Sequence, residues 1–162
     1  MGARANFAIR ENGIVELFYS RWGACTIAED IFWGPGPTES YIRWNEPDDS
    51  WLDNVYAEGG AALDKDNQRL TYLAWEWPDS NDLWRAYEIQ LRANWRAHGW
   101  QVRRAREWAE VAEAVVKNQG AQLNETALGH VLERYAQNPQ VAQAMAVRPG
   151  LPITVAEKLV DT

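Results

Sequence analysis

Asn12-Gly13 stands between two runs in which apolar and polar residues alternate, and few folds accommodate that arrangement. On the near side, residues 5–10 place Phe7 and Ile9 on one side and Asn6, Ala8 and Arg10 on the other. On the far side, residues 14–19 place Val15, Leu17 and Tyr19 together. Period two is the mark of a strand, and Asn-Gly supplies the two positive-φ residues of a type I′ turn. The first 20 residues are therefore expected to form a tight antiparallel hairpin.

A second hairpin is read over 57–75. Its first strand is Ala61 to Leu63, its turn Asp64 to Gln68, and its return strand Arg69 to Trp75. Glu58-Gly59-Gly60 precedes it, and paired glycines there point to a bulge or a close backbone approach. Between the hairpins, Thr26 has the spacing to cap a short helix through Ile31. Gly34-Pro35-Gly36-Pro37 reads as loop, followed by a helix over 39–44 capped by Thr38. Trp84, Tyr87, Leu91 and Trp95 follow helical spacing over 83–96, and His98-Gly99 stops that helix. A short strand is expected near 100–104. Trp108, Val111, Ala112, Val115 and Val116 then make one apolar helical stripe over 106–117.

The ten Trp fall between positions 22 and 108, and the last third of the chain has none. That shift places a boundary near 117–123, giving a domain over 1–120 and a helical appendage over 121–162. In the appendage Asn124 and Asn138-Pro139 start helices, and Arg148-Pro149-Gly150-Leu151-Pro152 separates the last from its predecessor. Short helices with Pro-containing turns are similar to units of a helical repeat array. The expected fold is α+β: a small antiparallel sheet of two hairpins plus one strand, packed by helices, with a short C-terminal helical appendage.

Composition narrows the function classes. A net charge of −7 argues against nucleic acid, because phosphate binding needs clustered cations. The cluster Arg103, Arg104 and Arg106 reads as a solvated helix edge. No apolar run reaches the ~20 residues of a membrane span, and the N-terminus lacks the apolar core of a signal peptide. A cytoplasmic protein is expected, with no membrane partner. One Cys and two His leave zinc without enough good ligands. Asp64, Asp66 and Asn67 begin like a calcium loop, but Arg69 and Trp75 occupy its required Gly and Glu positions. No cofactor is expected.

The residues also carry a resemblance. Met1-Gly2-Ala3-Arg4-Ala5-Asn6, Tyr19-Ser20-Arg21-Trp22, Phe32-Trp33-Gly34-Pro35 and Trp51-Leu52-Asp53-Asn54-Val55-Tyr56-Ala57-Glu58-Gly59-Gly60 occur in order. Over about residues 1–110 the chain resembles an uncharacterised bacterial family beginning Met-Gly-x-Arg-Ala-Asn. Its tail is faintly similar to bacterial α-helical repeat proteins. The resemblance implies no activity. Arg21 stands where those relatives have His, so His-based acid/base chemistry does not carry over. The start is also similar to that of hydrolases whose first mature residue is the nucleophile, yet Gly2 has neither thiol nor hydroxyl to attack with.

Three functions remain open. The first is a non-catalytic binding protein whose contact edge is formed by Arg4, Tyr19, Arg21, Trp22, Trp33 and Glu58, since Trp, Tyr and Arg dominate binding hot spots. Its ligand is an unidentified protein or small molecule, and an acidic chain of this size suits a toxin-neutralising or defence role. The competing view of the same residues is a Trp-heavy core with Arg4 and Arg21 paired to Glu58 or Asp30. The second function is a small hydrolase using Glu29, Asp30 and Glu58, which acid/base work requires in one pocket. The third is a structural partner that docks through its helical tail. Cys25 reads as a small packed hydrophobe.

Overall fold

The computed structural model describes residues 3–48, 57–74, 81–116, 125–135, 137–148 and 150–160. In chain order these form β1 (Ala5–Glu11), β2 (Ile14–Ser20), α1 (Gly23–Asp30), α2 (Pro35–Trp44), β3 (Glu46–Pro47), β4 (Gly59–Asp64) and β5 (Arg69–Ala74). There follow α3 (Asn81–Arg96), β6 (Gln101–Arg104), α4 (Trp108–Val116), α5 (Glu125–Tyr135), α6 (Pro139–Ala146) and α7 (Ile153–Val160). No helix among them is long and apolar enough to cross a membrane.

Both hairpins form where local chemistry directs them. Asn12 and Gly13 take φ of 53° and 76°, the positive pair a type I′ turn needs, and β1 pairs antiparallel with β2 from Ala5↔Ser20 to Glu11↔Ile14. The Asp66 carboxylate, in the turn of the second hairpin, accepts hydrogen bonds from Asn12 N at 2.7 Å and Gly13 N at 2.8 Å. Each turn thus satisfies part of the other.

The sheet itself differs from the expected one. It has six strands in the order β3-β2-β1-β4-β5-β6, and it is mixed rather than antiparallel. β1 lies parallel to β4, in register from Ala5↔Gly59 to Arg10↔Asp64, and β5 lies parallel to β6. The fold is α+β, but a small antiparallel sheet of two hairpins plus one strand is ruled out by these two parallel joins and by the added edge strand β3. Parallel neighbours must be connected by a long crossover, so strand spacing along the chain carries no local sign of the pairing.

Helices cover both faces. Phe7, Ile9, Ala61, Leu63, Leu70 and Tyr72 pack against Ile27, Ile42, Leu91 and Trp95, from α1, α2 and α3. On the opposite face, Ala8, Leu17, Ala62 and Leu73 share one core with Trp108, Val111, Leu128, Val131, Val141 and Val155, from α4 to α7. The polar side of β1 is consequently not a solvent face: Asn6 and Ala8 are buried.

Two helix starts also move. Trp22, not Thr26, caps α1. The Gly34-Pro35-Gly36-Pro37 stretch begins α2 instead of looping before it. Gly34 reaches φ 105° as the cap residue, and Thr38 N donates to Gly34 O at 3.2 Å, the first bond of the helix. Both prolines fall in the first turn, where backbone N–H groups have no helical acceptor to lose. Downstream, Asn138 caps α6 by accepting from Gln140 N and Val141 N, as its sequence predicts. The expected boundary near 117–123, the Asn124 cap and Trp75 lie outside the described residues.

Candidate functional site

One end of the sheet gathers most of the expected contact residues. β1 and β4 start there and β2 ends there, through the register Gly59↔Ala5↔Ser20. Glu58 N donates to Arg4 O at 2.8 Å, and Ala24 N donates to Ala3 O at 3.0 Å. The segment entering β1 is therefore clamped between the approach to β4 and the first turn of α1. A Cβ on Gly59 would lie 3.0 Å from the Ala24 Cβ, so the glycine lets helix and strand approach closely.

Trp22 caps α1 without a side-chain capping bond and is 56% exposed. The Arg21 guanidinium stands 5.8 Å from its ring centroid, a distance at which the negative ring face attracts a cation by about 0.5–1 kcal/mol at an exposed site. Arg21 and Glu58 are both exposed, and among the described residues neither makes an ion pair. Arg4 is half-buried at the entry to β1. Tyr19, also half-buried, lies on β2 opposite Asn6 and Glu46.

Trp33 stands apart from this group. It follows the far end of α1, and the eight residues of that helix rise about 12 Å. There its indole packs edge-on against Phe32 at 5.1 Å, and it is 68% exposed. Trp51 lies outside the described residues.

The carboxylates are divided by the same helix. Glu29 and Asp30 end α1, whereas Glu58 adjoins Gly59 beside its first turn. Burial raises the Asp30 carboxyl above its ordinary range, against hydrogen bonds from Thr26 and Tyr41 that favour the anion, with Glu29 adding to the rise. Its Oδ2 is buried without a partner among the described residues. Folded Asp30 holds its proton more readily than unfolded Asp30. Its contribution to stability therefore falls as pH rises from the unfolded carboxylate range through the raised folded value. An anion at a helix C-terminus is unfavourable by about 0.3–1 kcal/mol. Asp30→Asn is accordingly expected to raise the thermal midpoint at pH 7 and to give a smaller difference near pH 3. Melting curves at the two pH values check this.

The arginine cluster is not the expected helix edge. Arg103 and Arg104 sit on β6. Arg103 pairs with Glu110, and Arg104 pairs with Glu88 at 3.3 Å while lying 4.2 Å from the Trp84 ring centroid. Cys25 is exposed rather than packed. Among the described residues no three His, Cys, Asp or Glu side chains come together as a metal site.

Two clefts went unread in the sequence. One, of about 340 Å³, runs between α5 and α7 and is lined by Glu125, His130, Glu133 and Lys158. The other, of about 220 Å³, lies between α4 and the sheet, with Arg10, Asp64, Arg69, Thr71, Arg103 and Glu113 in its walls. Alternation along β5 and β6 was the available signal for the second, since Arg69, Thr71 and Arg103 occupy one side of adjacent strands.

Residues 104–162 match a family described as an uncharacterised protein conserved in bacteria, DUF2336. No curated protein matches the chain, and no solved structure does. The match starts at the last residue of β6 and covers α4 to α7. Likeness to an uncharacterised bacterial family is thus found over the C-terminal helices.

Proposed function

We propose that the protein is a non-catalytic binding module that grips a protein partner at the sheet end formed by Arg4, Tyr19, Arg21, Trp22 and Glu58. The supporting observation is the pairing of a largely exposed indole with an arginine that has no carboxylate partner among the described residues. The exposed Trp22 ring is apolar surface that a partner would remove from water. Trp and Arg carry most of the energy in protein interfaces, and a polar rim such as Glu58 excludes water around them.

A photo-crosslinking residue placed at the exposed Cys25, one turn along α1 from Trp22, in cells that express the protein tests the reading. It is expected to yield one discrete protein adduct, reduced about tenfold by Arg21→Ala, the loss that corresponds to a hot spot of ~1.4 kcal/mol. No adduct, or the same adduct from the exposed Gln90 on α3, counts against it. A second reading, docking through the tail, is favoured by the exposed Val147, Ile153 and Val160. The crosslinker at position 153 separates the two, because an adduct there and none at 25 selects the tail.

A further inference from the structure

We infer that the cleft between α4 and the sheet is a binding site for a phosphate group, held by Arg69, Thr71 and Arg103. The register makes the case. One row across the sheet reads Arg10, Asp64, Arg69 and Gln101, and the adjacent row reads Ala8, Ala62, Thr71 and Arg103. These are the side chains of a face that elsewhere is apolar and covered by helices. Where the row turns polar, a cleft of about 220 Å³ opens beneath α4. That is smaller than the roughly 300–1,000 Å³ of sites for drug-sized ligands, so the occupant is a compact group.

Asp64, the carboxylate nearest Arg69 in the row, is already engaged. Its oxygens accept from Arg10 at 3.3 Å, from Asn67 N at 3.0 Å and from Asn67 Nδ2 at 2.8 Å. Arg10 is further held by Asp66 at 2.8 Å, and Arg103 is oriented by Glu110. Arg69 makes no ion pair among the described residues. In a chain of net charge −7 the cleft thus presents one uncommitted guanidinium and a second that is fixed in position. Arg69 on β5 and Arg103 on β6 flank Thr71, which pairs with Arg103 in register. Two guanidiniums and a hydroxyl on adjacent strands line one cleft, and together they offer more donors than the two oxygens of a carboxylate use, which suits an oxyanion with three or four acceptor oxygens. Glu113 on the α4 wall opposes an anion, but it is buried and already engaged with a partner of its own. The site is on the opposite part of the molecule from the Trp22 end and does not depend on it.

Titration of the full chain with inorganic phosphate at constant ionic strength, followed through the Arg69 and Arg103 side-chain N–H signals, tests the assignment. Saturable shifts of both are expected. Arg69→Gln is expected to weaken binding about tenfold, the scale of one charge-assisted hydrogen bond, with an unchanged melting point because the side chain is exposed. Arg85→Gln, at an exposed position of α3, should leave affinity unaltered, and acetate should bind more weakly than phosphate. Arg103→Gln provides the second loss variant. Absence of saturation, equal weakening by Arg85→Gln, or equal affinity for acetate each overturns the proposal.

Discussion

Trp95→Ala should lower the unfolding free energy by about 3–5 kcal/mol, the range for removing a fully buried large aromatic. Trp95 has no exposed surface. Its ring meets Trp100 edge-on at 5.4 Å, and its Nε1–H donates to Ile31 O at 2.7 Å. Ile31 caps the C-terminus of α1, so this one indole joins α3 to the end of α1 over the face of the sheet. Truncation removes the packing and leaves a buried carbonyl without its donor, itself a loss of about 1–3 kcal/mol. For a chain of this length the thermal midpoint should fall by about 2–4 °C per kcal/mol. Trp95→Phe keeps a ring in the core while losing the donor and part of the packed volume, and it should recover part of the stability lost in Trp95→Ala. A change below ~1 kcal/mol on Trp95→Ala in equilibrium denaturation would contradict this account.

Gly60→Ala should be comparably damaging although it adds a single carbon. That carbon would lie 2.3 Å from Asn6 O and 2.4 Å from Trp108 Cη2. Neither neighbour can give way easily. Asn6 is backbone of β1 in register with Gly60, and the Trp108 Nε1–H is fixed to Ala57 O at 2.8 Å. Overpacking a core costs about 1–3 kcal/mol and occasionally more, and two contacts this short place Gly60→Ala at about 3 kcal/mol. Trp108→Phe in the same chain removes the ring clash and leaves the carbonyl clash, so the double variant should regain only part of the loss that Gly60→Ala adds. Gly36→Ala is the matched control. It lies in the first turn of α2 with nothing within 4 Å of its added carbon, and it should be neutral or stabilising by roughly 0.5–1 kcal/mol. A Gly60→Ala protein as stable as the Gly36→Ala protein would show that β1, β4 and α4 do not meet as described.

Gly60 also shows how far the sequence could be read. Paired glycines at 59 and 60 announced a close approach, and both approaches exist, one to Ala24 and one to Asn6 and Trp108. What approaches was not legible, because those partners lie far along the chain. The candidate contact surface has the same character. Arg21 and Trp22 are neighbours by sequence, but Glu58 joins them only through the parallel pairing of Ala5 with Gly59. Trp33 leaves them because a helix of eight residues intervenes.

Local chemistry was decisive for the turn at Asn12-Gly13, the Asn138 cap and the apolar stripes of α3 and α4, each settled by residues within a few positions of one another. The tertiary structure alone determined the two parallel strand pairings, the covering of both sheet faces, and the sorting of one residue type into buried Trp95 and Trp108 and exposed Trp22, Trp33 and Trp44. The division follows from range. Backbone dihedrals and side-chain periodicity act over a turn or two, whereas strand partners and burial depend on segments tens of residues apart, whose contacts stabilise only after the whole sheet has assembled.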